Sequence, residues 1–151
     1  YICHLVRIKT MGFTVLSTLV LLIIAVEAER SFDRCSLARE LDNLDVPRNE
    51  IPHWVCIARH ESSFRTWVIG PPNTDGSRDH GLFQINDLYW CQPSNGRFSH
   101  NGCHTMCEAL RTDHIERALA CAKKIQRHQG WNAWSVYQPH CDGNLPDVSD
   151  C

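Results

Sequence analysis

The sequence predicts a single α+β domain crosslinked by disulfide bonds. Residues 35–41, 52–62 and 115–125 carry apolar side chains at helical spacing. Between the second and third of these segments, turn-forming residues precede a short alternating stretch typical of a strand. Cysteines are frequent for a chain of 151 residues. Helices that flank a small, irregular β region make an α+β domain, and the cysteines indicate crosslinks.

The N-terminal residues resemble a secretory signal peptide. Residues 15–26 are almost entirely apolar but too few for a membrane-spanning helix, which needs about 20 residues. Val26 and Ala28 lie at the two positions that a signal peptidase reads. We therefore expect residues 11–28 to be the signal peptide, residues 1–10 to be upstream of the protein, and residues 29–151 to form the secreted domain. A buried N-terminal helix is the alternative.

Each predicted helix rests on a local signal. Residues 35–41 place two leucines four positions apart, on one helical face. The second helix opens at Pro52, a residue suited to a first turn, and runs to about Ser62. Residues 115–125 show the clearest apolar periodicity, and Asp113 precedes them as a candidate N-cap.

The β region is predicted between the second and third helices. Residues 70–77 read GPPNTDGS, which is rich in turn formers, and the Asp75–Gly76 pair indicates a tight turn. Residues 82–86 follow as a predicted short strand. The tail after Trp134 is predicted to be a loop that its cysteines anchor.

Nine cysteines are present, and Cys3 falls outside the expected secreted domain. An even number in a small secreted chain predicts disulfides, although the spacing alone allows many pairings. A zinc site at Cys103 and Cys107, with histidines nearby, is the alternative. Because an oxidising compartment disfavours free thiolates, we expect four disulfides and no metal.

The charge balance excludes some classes of partner. Lys and Arg total 15 against 17 Asp and Glu, and the formal net charge is −2. There is no basic stripe along the sequence. Binding to nucleic acid, or stable association with an anionic membrane, therefore has no electrostatic support.

Two carboxylates lie in unlike surroundings. Glu61 ends an apolar, tryptophan-containing helix, and Asp79 lies in or beside the polar hairpin that follows. Glycoside hydrolysis needs such an asymmetry, because one carboxyl group donates a proton while the other stays ionised beside the developing oxocarbenium ion. The alternative is that both are solvated surface residues.

Several sequence strings occur in an order that is typical of one family. They are CSLAREL at residues 35–41, WVCIARHESSF at 54–64, NTDGSRDHGLFQIN at 73–86, CAKKI at 121–125 and GWNAW at 130–134. With them, the chain resembles the C-type lysozymes from about residue 30 to residue 151, and the insect members in particular. The resemblance implies a lysozyme-like α+β fold with a cleft between two lobes. It also implies the disulfides Cys35–Cys151, Cys56–Cys141, Cys91–Cys107 and Cys103–Cys121.

The resemblance assigns roles to individual residues. Glu61 matches the general acid, Asp79 the nucleophile or electrostatic stabiliser, and Trp134 the tryptophan that packs beside the acid. The other residues implied to bind substrate are Asn73, Gln84, Asn86, Tyr89 and Trp90. The backbone near Asn132 and Ala133 is also expected to line the cleft.

Four positions depart from the family pattern. His80 replaces a common Tyr beside Asp79, where we expect the imidazole to become cationic in acid and stabilise the carboxylate. Tyr89 and Tyr137 stand where Trp is common, and Pro71 occupies a position that is polar in some members. These changes concern sugar affinity and pH dependence, because no catalytic group is lost.

The resemblance implies a secreted, monomeric enzyme that needs no cofactor. It would hydrolyse the β-1,4 bond between N-acetylmuramic acid and N-acetylglucosamine in bacterial peptidoglycan. The alternative is a non-catalytic lysozyme-like protein that binds carbohydrate or regulates a partner, but such relatives commonly lack one or both carboxylates. The mild acidity favours digestion of bacteria at low pH over antibacterial defence.

Overall fold

The computed structural model describes residues 29–151. The predicted signal peptide at residues 11–28, and residues 1–10 before it, lie outside the described residues. Between residues 29 and 151 there are four α-helices, one two-stranded antiparallel sheet and two short 3₁₀ helices. The predicted α+β class is therefore confirmed. None of the helices in this part of the chain is long and apolar enough to cross a membrane.

The first two helices begin and end close to their predicted bounds. Helix α1 spans Arg34–Asn43, and the Asp33 carboxylate caps it by accepting hydrogen bonds from the first-turn amides. Helix α2 spans Ile51–Ser62 with a proline in its first turn. Ser63 ends α2 in the left-handed conformation, with φ of 53°. The two helices pack together, and Trp54 of α2 is fully buried in the core.

The β region is shorter than predicted. Strand β1, Asp79–His80, pairs antiparallel with strand β2, Ile85–Asn86. The predicted strand over residues 82–86 is wrong in its first half, where the chain forms the connecting turn. Leu82 and Phe83 are both fully buried. Two consecutive buried side chains cannot lie on one face of a strand, so the turn takes them both into the core.

Helix α3 spans Glu116–Gln129 and buries the predicted apolar face. The prediction that Asp113 caps it is wrong, because Ile115 holds the N-cap position and makes no side-chain hydrogen bond. Asp113 instead accepts from the Arg30 amide at 2.7 Å and the Thr66 hydroxyl at 3.3 Å. It therefore attaches the start of the domain to the segment before α3.

The tail contains one element that the sequence did not predict. A single helical turn, α4, spans Tyr137–His140 and packs on α2. The remainder of the tail is irregular, as predicted. Disulfides join Cys35 to Cys151, Cys56 to Cys141, Cys91 to Cys107 and Cys103 to Cys121. These are the four pairs that the resemblance implied.

Candidate active site

Glu61 lies in the last turn of α2, and its half-buried side chain lines a cleft of about 380 Å³. Hydrogen bonds fix the surroundings of this helix end. The Ser62 hydroxyl donates to the Leu82 carbonyl oxygen at 2.8 Å, which connects α2 to the turn of the sheet. Trp134 donates its indole N–H to the Phe83 carbonyl oxygen at 2.9 Å. The same turn therefore positions the helix that carries Glu61 and the tryptophan on the cleft wall.

The surroundings of Glu61 favour its protonated form. Burial raises the pKa of Glu61 from its ordinary value of 4.5 to about 7, and the negative charge of Asp79 contributes to the same shift. A carboxyl group that keeps its proton up to neutral pH can donate that proton to a bound substrate.

Asp79 lies on β1 and faces the same cleft. Asn86, its partner across the sheet, donates from its amide to one carboxylate oxygen at 2.9 Å. Asn73 donates to the other oxygen at 3.1 Å. The same two amides also donate to the hydroxyl oxygen of Ser77, at 2.9 and 3.1 Å. Each amide thus uses both of its N–H groups, and the carboxylate is fixed from two sides.

Ser77 is a site residue that sequence reasoning missed. It is 1% exposed, and its backbone N–H donates to the Asp75 carboxylate at 2.8 Å. A serine in a turn-rich segment ordinarily binds solvent or its own turn. The only available signal was the Asp-x-Ser spacing of a side-chain-stabilised turn, which does not reveal that both asparagines converge on the hydroxyl.

The cleft brings together all the side chains that the sequence singled out for the site. Its lining consists of Glu61, Asn73, Asp79, Gln84, Ile85, Asn86, Tyr89, Trp90, Ile125, Gln129, Ala133, Trp134 and Ser135. Asn132 is exposed outside this lining, whereas Ala133 belongs to it. Gln84 has φ of 45°, and its amide donates to the Gly81 carbonyl oxygen in the sheet turn at 2.9 Å and to the Val68 carbonyl oxygen at 3.3 Å, so both segments position its side chain.

Comparison with known proteins identifies the family. A model of the C-type lysozyme/alpha-lactalbumin family matches residues 30–151. The chain belongs to this family. It is similar to Lysozyme 1 of Musca domestica, with 53% identity over 141 residues, covering 93% of this chain and 99% of that protein. It is also 59% identical to Lysozyme X of Drosophila melanogaster over 122 residues, covering 81% and 85% of the two chains.

Solved structures give the same result. The fold is similar to that of recombinant wild-type canine milk lysozyme, with a TM-score of 0.71 and 35% sequence identity, covering 80% of this chain and 95% of that chain. The structure of the lysozyme from Equus asinus has a TM-score of 0.70 at 35% identity, with the same coverage. The C-type lysozyme fold therefore extends over the described domain.

His80, the departure from the lysozyme pattern beside Asp79, does not act as predicted. Its side chain is 7% exposed and lies on the other face of the strand, because neighbouring strand residues point to opposite faces. Its Nε2 lies 3.3 Å from a carboxylate oxygen of Asp87, which is also buried. The expectation that this imidazole stabilises the Asp79 carboxylate is therefore wrong, because the ring contacts the Asp87 carboxylate instead. The other oxygen of Asp87 accepts from the Arg78 amide at 3.0 Å, so Asp87 binds the residues on both sides of Asp79.

Of the other three positions that depart from the lysozyme pattern, one lines the cleft and two do not. Tyr89 is 51% exposed and lines the cleft. Tyr137 is buried, and its hydroxyl lies 2.5 Å from His53 Nδ1, so this change alters packing in the core. Pro71 is exposed outside the cleft lining.

The alternative of a zinc site at Cys103 and Cys107 does not fit the structure. Both sulfurs take part in disulfides.

The raised pKa of Glu61 makes stability depend on pH. The native state binds a proton more tightly than the unfolded chain, so stability falls as pH rises from about 4.5 to about 7 and remains lower above that range. We expect Glu61→Gln to be more stable than the wild type at pH 8 and to show little difference at pH 4. Partial solvent exposure reduces the expected gain to about 1–2 kcal/mol.

Denaturant unfolding at both pH values would measure this difference. Glu116→Gln is the matched control, because it removes an exposed carboxylate from the first turn of α3 and is not expected to gain stability. An equal change for Glu61→Gln at pH 4 and pH 8 would contradict the assignment of the raised pKa.

Proposed function

We propose that this chain is a secreted lysozyme, a retaining glycoside hydrolase that cleaves the β-1,4 bond between N-acetylmuramic acid and N-acetylglucosamine in peptidoglycan. The observation that carries the proposal is the pair of carboxyl groups in one cleft with opposite surroundings. Glu61 is half-buried with a pKa of about 7, and Asp79 accepts an amide hydrogen bond on each oxygen. Relatives named lysozyme at more than half identity support the same activity.

The proposed reaction has two steps, in the division of roles established for lysozymes. Glu61 donates its proton to the glycosidic oxygen as the bond from that oxygen to the anomeric carbon breaks. The Asp79 carboxylate bonds to the anomeric carbon, or stabilises the positive charge there, on the opposite side of the sugar. In the second step Glu61, now ionised, removes a proton from water, and the resulting hydroxide takes the place of Asp79.

The arrangement of Asp79 suits its proposed role as nucleophile or charge stabiliser. Its two oxygens stay in fixed positions, since Asn73 and Asn86 also bind the buried Ser77. A nucleophile already oriented for attack loses little entropy in the transition state.

The four disulfides agree with secretion into an oxidising compartment. We propose that the domain acts there as a monomer, without a nucleic acid or membrane partner.

The test is the clearing of a Gram-positive cell-wall suspension by the refolded, oxidised protein, with release of reducing ends measured in parallel. The matched control is the double variant Glu61→Gln with Asp79→Asn, which replaces both carboxyl groups with amides of nearly the same shape. We expect clearing and new reducing ends with the wild type alone. Binding to the cell wall without reducing ends from either protein would instead support the non-catalytic alternative.

A further inference from the structure

A pocket of about 180 Å³ lies outside the cleft, between α3 and the loop that precedes the first 3₁₀ helix. We call it the α3 pocket. It is lined by Cys103, His104, Thr105, Arg117, Ala120, Cys121 and Lys124. Three of these seven side chains are basic, and none of the seven is acidic. The α3 pocket therefore concentrates positive charge, although the chain as a whole has a formal net charge of −2.

The shape of the α3 pocket follows from helical spacing. Arg117 and Lys124 lie seven positions apart on one face of α3, about 10 Å along its axis. Ala120 lies between them and is exposed. Because alanine has only a methyl group, it leaves a gap between the two long side chains. An anion that enters this gap meets a cation at each end.

Both cations have donors to spare. The Lys124 ammonium donates to the Gly102 carbonyl oxygen at 2.5 Å, which leaves two of its three N–H groups. Arg117 is exposed. Within residues 29–151, neither Arg117 nor Lys124 forms an ion pair. No carboxylate in this part of the chain therefore neutralises the two cations.

The walls of the α3 pocket are fixed by the fold. The disulfide between Cys103 and Cys121 joins the loop to α3 within the pocket itself. Asn101 accepts from the His104 amide at 2.8 Å through its backbone carbonyl, and from the Thr105 amide at 3.0 Å through its side chain. His104 is held at φ of 54°, a conformation that surroundings must stabilise. Fixed walls lose little conformational entropy when a ligand binds.

We propose that the α3 pocket binds a phosphate group, either as free phosphate or as a phosphodiester of an anionic polymer of the bacterial wall. Arginine and lysine form charge-assisted hydrogen bonds to phosphate oxygens, and a guanidinium group can donate two of them in parallel. A phosphate group has oxygens on several sides, which suits donors that converge from both ends of a gap. This site is additional to the proposed function, because none of its lining residues lines the cleft.

The position of the α3 pocket supports the polymer as a source of phosphate. Lys124 directly precedes Ile125, which lines the cleft. The Gly102 amide donates to the carbonyl oxygen of Tyr89, another cleft residue, at 2.8 Å. A polymer attached to a glycan in the cleft therefore has a short path over the surface to the α3 pocket.

NMR titration of the labelled protein would test the site at constant ionic strength. The probes are inorganic phosphate and a short oligomer of glycerol phosphate. We expect saturable shifts in residues 103–105 and 117–124 with both probes. A lower Kd per phosphate group for the oligomer would identify the wall polymer as the source, and an equal Kd per phosphate group would identify free phosphate.

Three variants separate a pocket from general charge attraction. Ala120→Leu fills the gap and keeps every charge, and leucine is a strong helix former at an exposed helical position. Arg117→Gln removes one cation of the α3 pocket. Each should raise Kd about 10-fold. Lys123→Gln is the matched control, because it removes a cation of α3 that does not line the pocket, and it should leave Kd nearly unchanged.

Three results would overturn the phosphate site. They are shifts that do not saturate, a Kd that Ala120→Leu leaves unchanged, and an equal weakening by Lys123→Gln and Arg117→Gln. Each would mean that phosphate is attracted by the charge of α3 as a whole or not at all. Failure here would be distinct from failure of the proposed function, because phosphate binding is measured without hydrolysis and Glu61 and Asp79 line the cleft instead.

Discussion

Glu61→Gln should lower kcat for cell-wall hydrolysis by about 10³-fold, and Asp79→Asn should lower it to a similar degree. An amide in place of the Glu61 carboxyl group has no acidic proton to give to the leaving oxygen, and general acid catalysis contributes about 10²- to 10⁴-fold. An amide in place of the Asp79 carboxylate cannot form the bond to the anomeric carbon or stabilise its charge. Release of reducing ends at pH 5 measures both losses.

The pH profile provides a second measurement of the same assignment. Wild-type activity should decline above about pH 7, because Glu61 loses its proton there and can no longer act as the acid. Glu116→Gln, on the exposed surface of α3, should keep the wild-type profile. If Glu61→Gln retained more than about a tenth of the activity, another group would have to be the acid.

Gly81→Ala should lower the free energy of unfolding by about 3–5 kcal/mol. Gly81 directly follows β1 and has φ of +75°, which strains any residue with a Cβ. A Cβ there would also overlap the backbone carbonyl oxygen of Leu110. Because backbone cannot rotate away as a side chain can, β1 would have to move, and Asp79 would move with it.

Gly96→Ala separates the cost of backbone strain from the cost of the overlap with Leu110. Gly96 has nearly the same φ, +76°, but no atom lies within 4 Å of an added Cβ. It should cost only the backbone strain, about 1 kcal/mol, so the difference between the variants measures the overlap with Leu110. Thermal and denaturant unfolding of both variants provide the comparison. Equal losses would show that the contact with Leu110 relaxes without cost.

The helices could be predicted from the sequence because their signals are local. Apolar spacing and a first-turn proline located α1, α2 and α3 to within a few residues. The strand over residues 82–86 was predicted too long, since Leu82 and Phe83 turn into the core, where Phe83 packs against Trp54 from a distant part of the chain. Asp113 has the residue type of a cap, but it lies two positions before the actual N-cap, Ile115, and its carboxylate accepts a long-range hydrogen bond from the Arg30 amide.

The candidate site was likewise predictable only in part. Its residues could be predicted because ordered strings of sequence resemble a family whose cleft is known. The contacts behind them could not, because they depend on which residues the fold brings together. Ser77 accepts from two asparagines that lie on different segments, and His80 points away from Asp79 because both belong to β1, which forms only by pairing with β2. Neither follows from local spacing.

The disulfide between Cys35 and Cys151 has a consequence for survival among proteases. Its half-cystines are 116 positions apart, so nearly the whole domain forms one covalent ring. Hydrolysis of any single peptide bond within that ring opens it without releasing a fragment. To separate a piece of the ring, a protease must cut at least twice, or a reductant must act as well. An enzyme with this connectivity stays one connected molecule after a first cut within the ring.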